Sequence, residues 1–262
     1  MSHHKLEFKN VHFTYPDGNK AINDVSFCIR HGESVGIIGS NGAGKSTLLM
    51  LMMGIIFASH GEILVGDTHV TKKTLPMIRQ RLGMVFQNPD DQLFMTTVYD
   101  DVAFGPRNYM MDEEDVAKKV NYALEVVGIP HLKDRAPFRL SGGEKRSVSI
   151  ATVLSMQPDI LIMDEPTSSL DPKSRRKVID LLKSFEHTKI ITSHDLDMVY
   201  EVCNRVIVLK DGRVMADGAA EEILVNGELL EECGLEIPLS LKSCPKCGST
   251  IKRVKECHIE NL

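Results

Sequence analysis

The chain lacks a hydrophobic run long enough to cross a membrane. Its longest apolar run, residues 48–58, is about half the length that a transmembrane helix requires. Residues 1–10 are polar and have no apolar core, which predicts that no signal peptide is present. Any attachment to a membrane is therefore expected to run through a partner.

The chain also lacks the basic surface that is typical of nucleic-acid-binding proteins. It has 31 Lys and Arg residues against 36 Asp and Glu residues, for a net charge of −5. Residues 242–262 carry a net charge of +3, so residues 1–241 carry about −8. An acidic body without a basic stripe argues against nucleic acid as the main partner.

The cysteine pattern does not indicate a disulfide framework. Two of the six cysteines, Cys28 and Cys203, lie in apolar segments and are expected to be small core residues. The other four fall within the last thirty residues of the chain, namely Cys233, Cys244, Cys247 and Cys257. This concentration sets the C-terminal end apart from the rest of the chain.

Short apolar strands alternate with helix-like segments along most of the sequence. The pattern predicts strands at residues 6–15, 25–29, 34–38, 81–86, 160–163 and 189–192, and helices at 45–54 and 112–127. Several of these strands are continuously apolar, as is typical of strands buried on both faces. The alternation predicts an α/β domain in which helices cover a mostly parallel sheet. We find no internal repeat.

A glycine-rich loop joins a predicted strand to a predicted helix at residues 39–47. Its sequence matches the phosphate-binding pattern G-x-x-x-x-G-K-[ST], and its residues are Gly39, Ser40, Asn41, Gly42, Ala43, Gly44, Lys45, Ser46 and Thr47. Glycines let successive backbone N–H groups point at a phosphate, and the helix N-terminus adds its dipole. We expect Lys45 to reach the β- and γ-phosphates of a nucleotide and the Ser46 hydroxyl to bind Mg²⁺.

Two carboxylates follow the apolar strand at residues 160–163. Asp164 and Glu165 would lie at the carboxyl end of that strand, where open α/β sheets bind their ligands. We expect Asp164 to hold Mg²⁺ through water, and Glu165 to be the general base that polarises the attacking water. Together with the glycine-rich loop, this pair predicts nucleotide hydrolysis.

Residues 140–145, Leu-Ser-Gly-Gly-Glu-Lys, resemble the signature motif of ATP-binding cassette (ABC) proteins. Ser141 precedes Asp164 by 23 residues, as in that family. The resemblance implies an ABC ATPase fold with a mostly parallel core, an antiparallel β subdomain and a helical signature subdomain at about residues 90–158. It also implies that two subunits pair head to tail. Ser141, Gly142 and Gly143 would then close on the γ-phosphate of an ATP held by the partner.

Further positions occur in the order of the same family, over about residues 5–225. Tyr15 matches the aromatic residue that stacks on adenine. Gln87 matches the glutamine that approaches Mg²⁺ and the lytic water. Asp171 matches a residue that reaches across the dimer, and His194 matches the switch histidine near the γ-phosphate.

Residues 86–94 and 101–106 are similar to those of energy-coupling-factor importers, which take up vitamins or the metals cobalt and nickel. The similarity implies the ATP-hydrolysing motor subunit of such an importer, for which we favour a transition metal such as cobalt or nickel over a vitamin. Its partners would be a second ABC ATPase subunit, identical or related, a transmembrane coupling subunit and a substrate-binding membrane subunit. The chain would then be peripheral, at the cytoplasmic face of the membrane. One departure is Ser147, where such proteins usually carry Arg or Lys.

Two other classes of function compete with a transporter motor. A non-transport ABC ATPase of chromosomes, DNA repair or ribosomes would need a long coiled coil, a DNA-binding module or a second cassette, and the chain has none of these. A small-molecule kinase with a phosphate-binding loop would leave the signature motif and His194 without a role. Recovery of the chain from membranes with a polytopic subunit would separate these classes.

The chemistry of the C-terminal tail is not explained by the family pattern. We predict an ABC ATPase domain at residues 1–232 and a tail at 233–262. Cys244 and Cys247 form a C-x-x-C knuckle, and Cys257 and His258 follow ten residues later. Such ligands suit Zn²⁺. Adjacent residues of an extended chain point apart, which leaves three ligands plus Cys233, a partner or water. A basic tail without metal, or a disulfide formed on handling, is the alternative.

Overall fold

Two β-sheets organise residues 5–242, which are the residues that this computed structural model describes. The strands are β1 (Leu6–Thr14), β2 (Lys20–Ile29), β3 (Ser34–Ile38), β4 (His60–Val65), β5 (Thr68–His69), β6 (Leu82–Val85), β7 (Ile160–Asp164), β8 (Thr188–Thr192), β9 (Arg205–Lys210) and β10 (Arg213–Ala219). The helices are α1 (Lys45–Met52), α2 (Leu75–Arg81), α3 (Val98–Asn108), α4 (Glu113–Val126), α5 (Gly142–Leu154), α6 (Pro172–Ser184), α7 (Leu196–Val202), α8 (Ala220–Ile223) and α9 (Gly227–Glu232).

The larger sheet has the strand order β10-β9-β3-β8-β7-β6. Its five strands from β9 to β6 pair in parallel, and β10 pairs antiparallel with β9 at the edge. The prediction of a mostly parallel core is therefore confirmed. Strands β3, β8 and β7 lie side by side, so the segments that leave their carboxyl ends converge at one edge of the sheet.

Both faces of the larger sheet are covered, which explains why its strands are apolar throughout. Side chains alternate along β7: Ile160 and Ile162 contribute to one hydrophobic core, whereas Leu161 and Met163 contribute to the other. The first core also contains β1, β2 and α1. The second contains residues of helices α3 to α9.

The smaller sheet is antiparallel, with the order β2-β1-β4-β5. It shares its core with α1, whose buried side chains include Leu48, Leu49 and Met52. This sheet corresponds to the antiparallel β subdomain that the family resemblance implied. Strand β2 begins five residues earlier than the predicted strand at residues 25–29.

The N-terminal ends of α4 and α5 follow from side-chain capping. Asp112 accepts a hydrogen bond from the N–H of Asp115 at the start of α4. Ser141 and Glu144 form a reciprocal capping box at the start of α5. Residues 141–144 therefore begin a helix, as the glycine-rich signature segment predicted. The bounds of a helical subdomain at about residues 90–158 stay a prediction.

Residues 233–242, here called the C-terminal arm, pack back onto the larger core. Leu235, Ile237 and Leu241 contact that core. The carboxylate of Asp197 in α7 accepts hydrogen bonds from the main-chain N–H groups of Ser240 (2.8 Å) and Leu239 (3.2 Å). The arm is thus attached to the helix that follows His194. The predicted domain boundary at residue 232 stays a prediction.

Candidate functional site

The glycine-rich loop lies between β3 and α1, as predicted. Gly44 has φ 104°, in the left-handed region, and a Cβ added there would lie 2.6 Å from the carbonyl oxygen of Ala21. Only glycine therefore fits this position without a shift of the neighbouring backbone. The loop leads directly into α1, whose first residue is Lys45.

The Lys45 ammonium is held inside the curl of the loop. Its Nζ donates to the carbonyl oxygens of Gly39 (2.7 Å) and Ser40 (3.0 Å). Burial lowers the pKa of Lys45, and the nearby carboxylates of Glu165 and Asp164 offset part of this effect. A charged group held without a carboxylate bonded to it is suited to an anionic ligand such as phosphate.

Eleven of the predicted site residues line one cavity of about 560 Å³, a volume within the usual range of ligand sites. These residues are Tyr15, Asn41, Gly42, Gly44, Lys45, Ser46, Thr47, Gln87, Asp164, Glu165 and His194. The Tyr15 hydroxyl lies 3.0 Å from Thr47 Oγ1 and forms a hydrogen bond with it. Asn19 and Ala21 also line the cavity. We did not predict these two because they belong to a turn and a strand without a motif.

The two predicted carboxylates lie at the end of β7, next to the end of β8. Asp164 Oδ1 accepts a hydrogen bond from Thr192 Oγ1 at 2.6 Å. Glu165 Oε2 lies 2.8 Å from Nδ1 of His194 and accepts bonds from Ser193 Oγ (3.1 Å) and the His194 N–H (3.3 Å). The Glu165 side chain is therefore held in one orientation toward the cavity wall.

Glu165 also has an unusual backbone. Its φ is 47°, in the left-handed region that non-glycine residues rarely adopt. Such conformations persist where the surrounding structure enforces them, and they cluster at functional sites. The main-chain N–H of Glu165 donates to the carbonyl oxygen of Thr192 at 3.0 Å, which keeps the turn in contact with β8.

An ion pair behind His194 was missed by sequence reasoning. Arg175 in α6 donates two hydrogen bonds to the carboxylate of Asp195, at 2.7 and 2.9 Å, and Thr167 Oγ1 donates a third. Burial raises the pKa of Asp195, but these hydrogen bonds and the Arg175 charge outweigh burial and lower it. Asp195 belongs to the polar run that follows β8, which was visible in the sequence. That Arg175 is its partner could not be predicted without the fold.

The signature residues lie outside this cavity. Ser141 and Gly143 line a separate groove with Asp171, and Gly142 lines another. Two hydrogen bonds from Ser141, one from its N–H and one from its hydroxyl, lower the pKa of Glu144. Asp171 caps the N-terminus of its own helix, α6. One chain therefore carries two separate halves of the predicted site.

An exposed aromatic pair lies at the far end of residues 86–94, here called the Gln87 segment. Phe94 and Phe104 stack edge to face with ring centroids 4.9 Å apart, and their exposed fractions are 63% and 38%. Asp90 and Asp91 form a short 3-10 turn just before them, and Lys145 of α5 pairs with Asp90 at 2.6 Å. This surface is apolar and acidic, as a protein-binding surface can be.

The cavity residues suit Mg²⁺, since Ser46, Asp164 and Gln87 all line the cavity and offer hydroxyl, carboxylate and amide oxygens. No cluster of three or more His, Cys, Asp or Glu side chains with metal-binding geometry occurs within residues 5–242. The predicted zinc ligands Cys244, Cys247, Cys257 and His258 lie outside the described residues. Cys233 is buried (2% exposed), and burial raises its pKa.

The fold and the two half-sites define an ATP-binding cassette, and the comparisons agree with this. The profile of the ABC transporter family matches residues 22–168. The chain belongs to this family and is an ATPase. Over the described part of the chain, no helix combines the length and apolarity needed to cross a membrane.

Two curated relatives show how far the similarity extends. An ABC transporter ATP-binding protein of Geobacter sulfurreducens is 57% identical over 248 residues, which cover 95% of this chain and 100% of the relative. The energy-coupling factor transporter ATP-binding protein EcfA of Carboxydothermus hydrogenoformans is 43% identical over 240 residues, covering 90% and 88% of the two chains.

Solved structures give the same fold. A CbiO protein of Clostridium perfringens, described as part of the ABC transporter complex CbiONQ, has a TM-score of 0.78 at 39% identity over 87% of this chain and 93% of that one. A dimeric ATP-binding cassette in a post-hydrolysis state, bound to ADP and phosphate, has a TM-score of 0.74 at 29% identity over 82% and 98%.

Proposed function

We propose that this chain is the ATP-hydrolysing motor subunit of an energy-coupling-factor importer. The observation that carries the proposal is the Gln87 segment. It starts at the nucleotide cavity and ends at the exposed pair Phe94 and Phe104. A segment with these two ends can pass a change at the nucleotide to a membrane subunit. The similarity to EcfA proteins over about nine-tenths of the chain supports this type of importer.

In the proposed site, the glycine-rich loop wraps the phosphates of ATP. Tyr15 stacks on the adenine, and Lys45 releases its bonds to the loop carbonyls in exchange for the β- and γ-phosphates. Ser46 and Gln87, with Asp164 through water, would hold Mg²⁺, which would neutralise phosphate charge. The pre-existing bond from Thr192 orients the Asp164 carboxylate for this role.

Glu165 accepts a proton from the attacking water in our proposal. Its Oε2 carries the bonds from Ser193 and His194, so the other carboxylate oxygen, Oε1, is the one that faces the water in this proposal. The Nδ1 of His194 contacts the same oxygen, so the imidazole fixes the base and senses the γ-phosphate. Because the Glu165 side chain is 10% exposed, little bulk water competes for the carboxylate.

We propose that two subunits share each site. Ser141, Gly142 and Gly143, with Asp171, lie too far from the chain's own cavity to line it. A head-to-tail pair would place them on the partner's γ-phosphate, and the similar cassette that forms a dimer with ADP and phosphate supports this. The second subunit is another copy or a related cassette.

We further propose that a transmembrane coupling subunit docks on the surface around Phe94, Phe104 and Asp91, and that a substrate-binding membrane subunit joins the same complex. The chain would then be peripheral, at the cytoplasmic face of the membrane. Asp91 is the cleaner probe of this surface, because Asp90 already pairs with Lys145 inside the chain.

The test is Asp91→Lys in the complex purified from membranes with its polytopic subunit. We expect the variant to lose uptake and recovery with the membrane subunit at least 5-fold. ATPase activity of the isolated chain should stay within about 2-fold, because Asp91 is exposed and does not line the nucleotide cavity. Lys118→Glu, an exposed charge reversal on α4, is the control. Unchanged complex formation and uptake would refute the docking surface.

For the substrate we propose a transition-metal ion, cobalt or nickel, with a vitamin as the alternative. The support for a metal over a vitamin is the group of cysteines in the tail, because the resemblance of residues 86–94 and 101–106 extends to importers of both kinds. Substrate is chosen by the membrane subunits, so the neighbouring genes and the uptake of labelled Co²⁺, Ni²⁺ and vitamins by the reconstituted complex decide the question. Uptake of a vitamin alone would exclude the metal.

A zinc or other transition-metal site in the tail, on Cys244, Cys247 and Cys257, stays a proposal of ours. Cys233 is not expected to supply a fourth ligand to this site, because a buried thiol with a raised pKa is a poor thiolate ligand. Metal analysis of protein purified without chelator tests it, with Cys244→Ser/Cys247→Ser as control. Less than about a tenth of an equivalent of metal, with the thiols reduced, would end the proposal.

A further inference from the structure

Arg146, in the signature helix α5, heads the largest fully buried side chains of the described part of the chain, and its exposed fraction is 1%. No carboxylate within residues 5–242 forms an ion pair with its guanidinium, and its Nε has no hydrogen-bond partner there. Burial lowers the pKa of Arg146, and attraction to Asp164 offsets only part of this effect. A buried cation without an ion pair costs stability, so a core function alone does not explain it.

The guanidinium donates to two consecutive main-chain carbonyls. One NH group donates to the carbonyl oxygen of Phe86 at 2.6 Å, and the other donates to the carbonyl oxygen of Gln87. These residues leave the end of β6, and Gln87 lines the nucleotide cavity. A planar guanidinium that binds two adjacent acceptors fixes the direction of the chain between them, which a single point donor does not.

A second side chain ties the same segment to the same helix. Gln92 Oε1 accepts from the N–H of Phe86 at 3.1 Å. Gln92 Nε2 donates to the carbonyl oxygen of Ser149 (2.8 Å) and to Thr152 Oγ1 (2.7 Å), both in α5. The residues around Gln87 are therefore bonded to α5 on two sides, while their other neighbour is the end of a sheet strand.

We propose that Arg146 is a positioning residue that fixes the main chain of Gln87 to α5, so that Gln87 follows this helix. The inference rests on the proposed role of Gln87 at the nucleotide. The N-terminus of α5 carries the signature residues, which in a head-to-tail dimer face the partner's ATP. Arg146 thus connects closure on one nucleotide with the placement of Gln87 at the other.

The experiment compares turnover with ATP binding in the full chain. Arg146→Gln removes the charge and the paired NH groups that donate to the two carbonyls. We expect kcat to fall about 10- to 100-fold, because small misplacements of catalytic groups cause losses of this size. The dissociation constant for ATP should change less than about 3-fold, because Arg146 does not line the nucleotide cavity. Arg146→Lys keeps the charge but binds only one carbonyl, so its kcat should lie between that of Arg146→Gln and that of the unaltered chain.

Ser155→Ala is the matched control. Ser155 is fully buried just after α5 and donates to the carbonyl oxygen of Val102, so it ties the helix to α3 rather than to Gln87. We expect this variant to lose stability without loss of kcat. A fall in kcat as large as that of Arg146→Lys would show that any loosening of α5 suffices, and would overturn the proposal.

A double-mutant cycle with Gln87→Ala completes the test. If Arg146 acts through Gln87, Arg146→Gln/Gln87→Ala should have a kcat within about 3-fold of the slower single variant. Losses that multiply would overturn the proposal. The Arg146→Lys variant replaces Arg146→Gln in the cycle if the latter does not fold.

If Gln87→Ala alone has normal kcat, the proposed role of Gln87 fails. Hydrogen exchange then tests separately whether Arg146 fixes residues 86–92 to α5. The amides of residues 86–92 should then exchange at least 5-fold faster in the Arg146 variant than in Ser155→Ala. Faster exchange supports the tie to α5, and unchanged exchange overturns it.

Discussion

Replacement of Glu165 by Gln tests the chemistry of the site most directly. The side chain is 10% exposed and bound by Ser193 and His194, and an amide has the same shape and can still accept these bonds. The variant therefore removes the proposed proton acceptor without emptying the site. A general base contributes about 10²- to 10⁴-fold, which corresponds to about 2.7–5.5 kcal/mol in the barrier.

The affinity of Glu165→Gln for ATP should not fall with its turnover. The substitution removes one negative charge from a cavity built for phosphate, so the affinity for ATP should be unchanged or slightly higher. With hydrolysis blocked, the ATP-bound dimer should accumulate, because hydrolysis normally releases it. Lys45→Ala should instead weaken binding itself, since Lys45 is the half-buried cation of the loop.

The assay is single-turnover phosphate release at saturating Mg-ATP, with ATP affinity from a fluorescent nucleotide and dimer content from gel filtration. Glu201→Gln is the control, since Glu201 is an acidic residue on α7 that pairs with Arg176 away from the cavity. We expect the control to turn over within about 2-fold of the unaltered chain. Near-normal turnover of Glu165→Gln would refute the assignment of the base.

Three further predictions address the proposed shared site, the ion pair behind His194 and the C-terminal arm. Lys45→Ala and Ser141→Arg chains should each be nearly inactive, and their mixture should regain activity from one intact site per mixed dimer; proven mixed dimers without activity would contradict this. Arg175→Met should lower the unfolding free energy by about 1–3 kcal/mol at pH 7, as measured by urea titration, and the exposed Arg176→Met should lower it less. Because the pKa of Asp195, the partner of Arg175, is lowered in the folded chain, the loss of stability in Arg175→Met should be present at neutral pH. The loss should disappear as the pH falls through the pKa of Asp195. Asp197→Ala should speed proteolysis of the C-terminal arm and leave kcat unchanged; equal digestion would contradict it.

Contiguous motifs are what the sequence could predict, because their chemistry depends on neighbours along the chain. The glycine-rich loop needs only a strand before it and a helix after it, and both are visible as apolar patterns. The pair Asp164 and Glu165 follows an apolar run, so its place at a strand end was readable. The capped helix start at Ser141 was readable for the same reason.

The tertiary structure decided which distant segments meet. Glu165 and His194 are brought to 2.8 Å because β7 and β8 are adjacent parallel strands, and strand order is not encoded in local periodicity. Charged residues are rarely buried without a partner, so nothing in the local sequence indicated that Arg146 is a core residue. The fold buries it instead, because the Gln87 segment leaves β6 beside α5 and offers two carbonyl oxygens there.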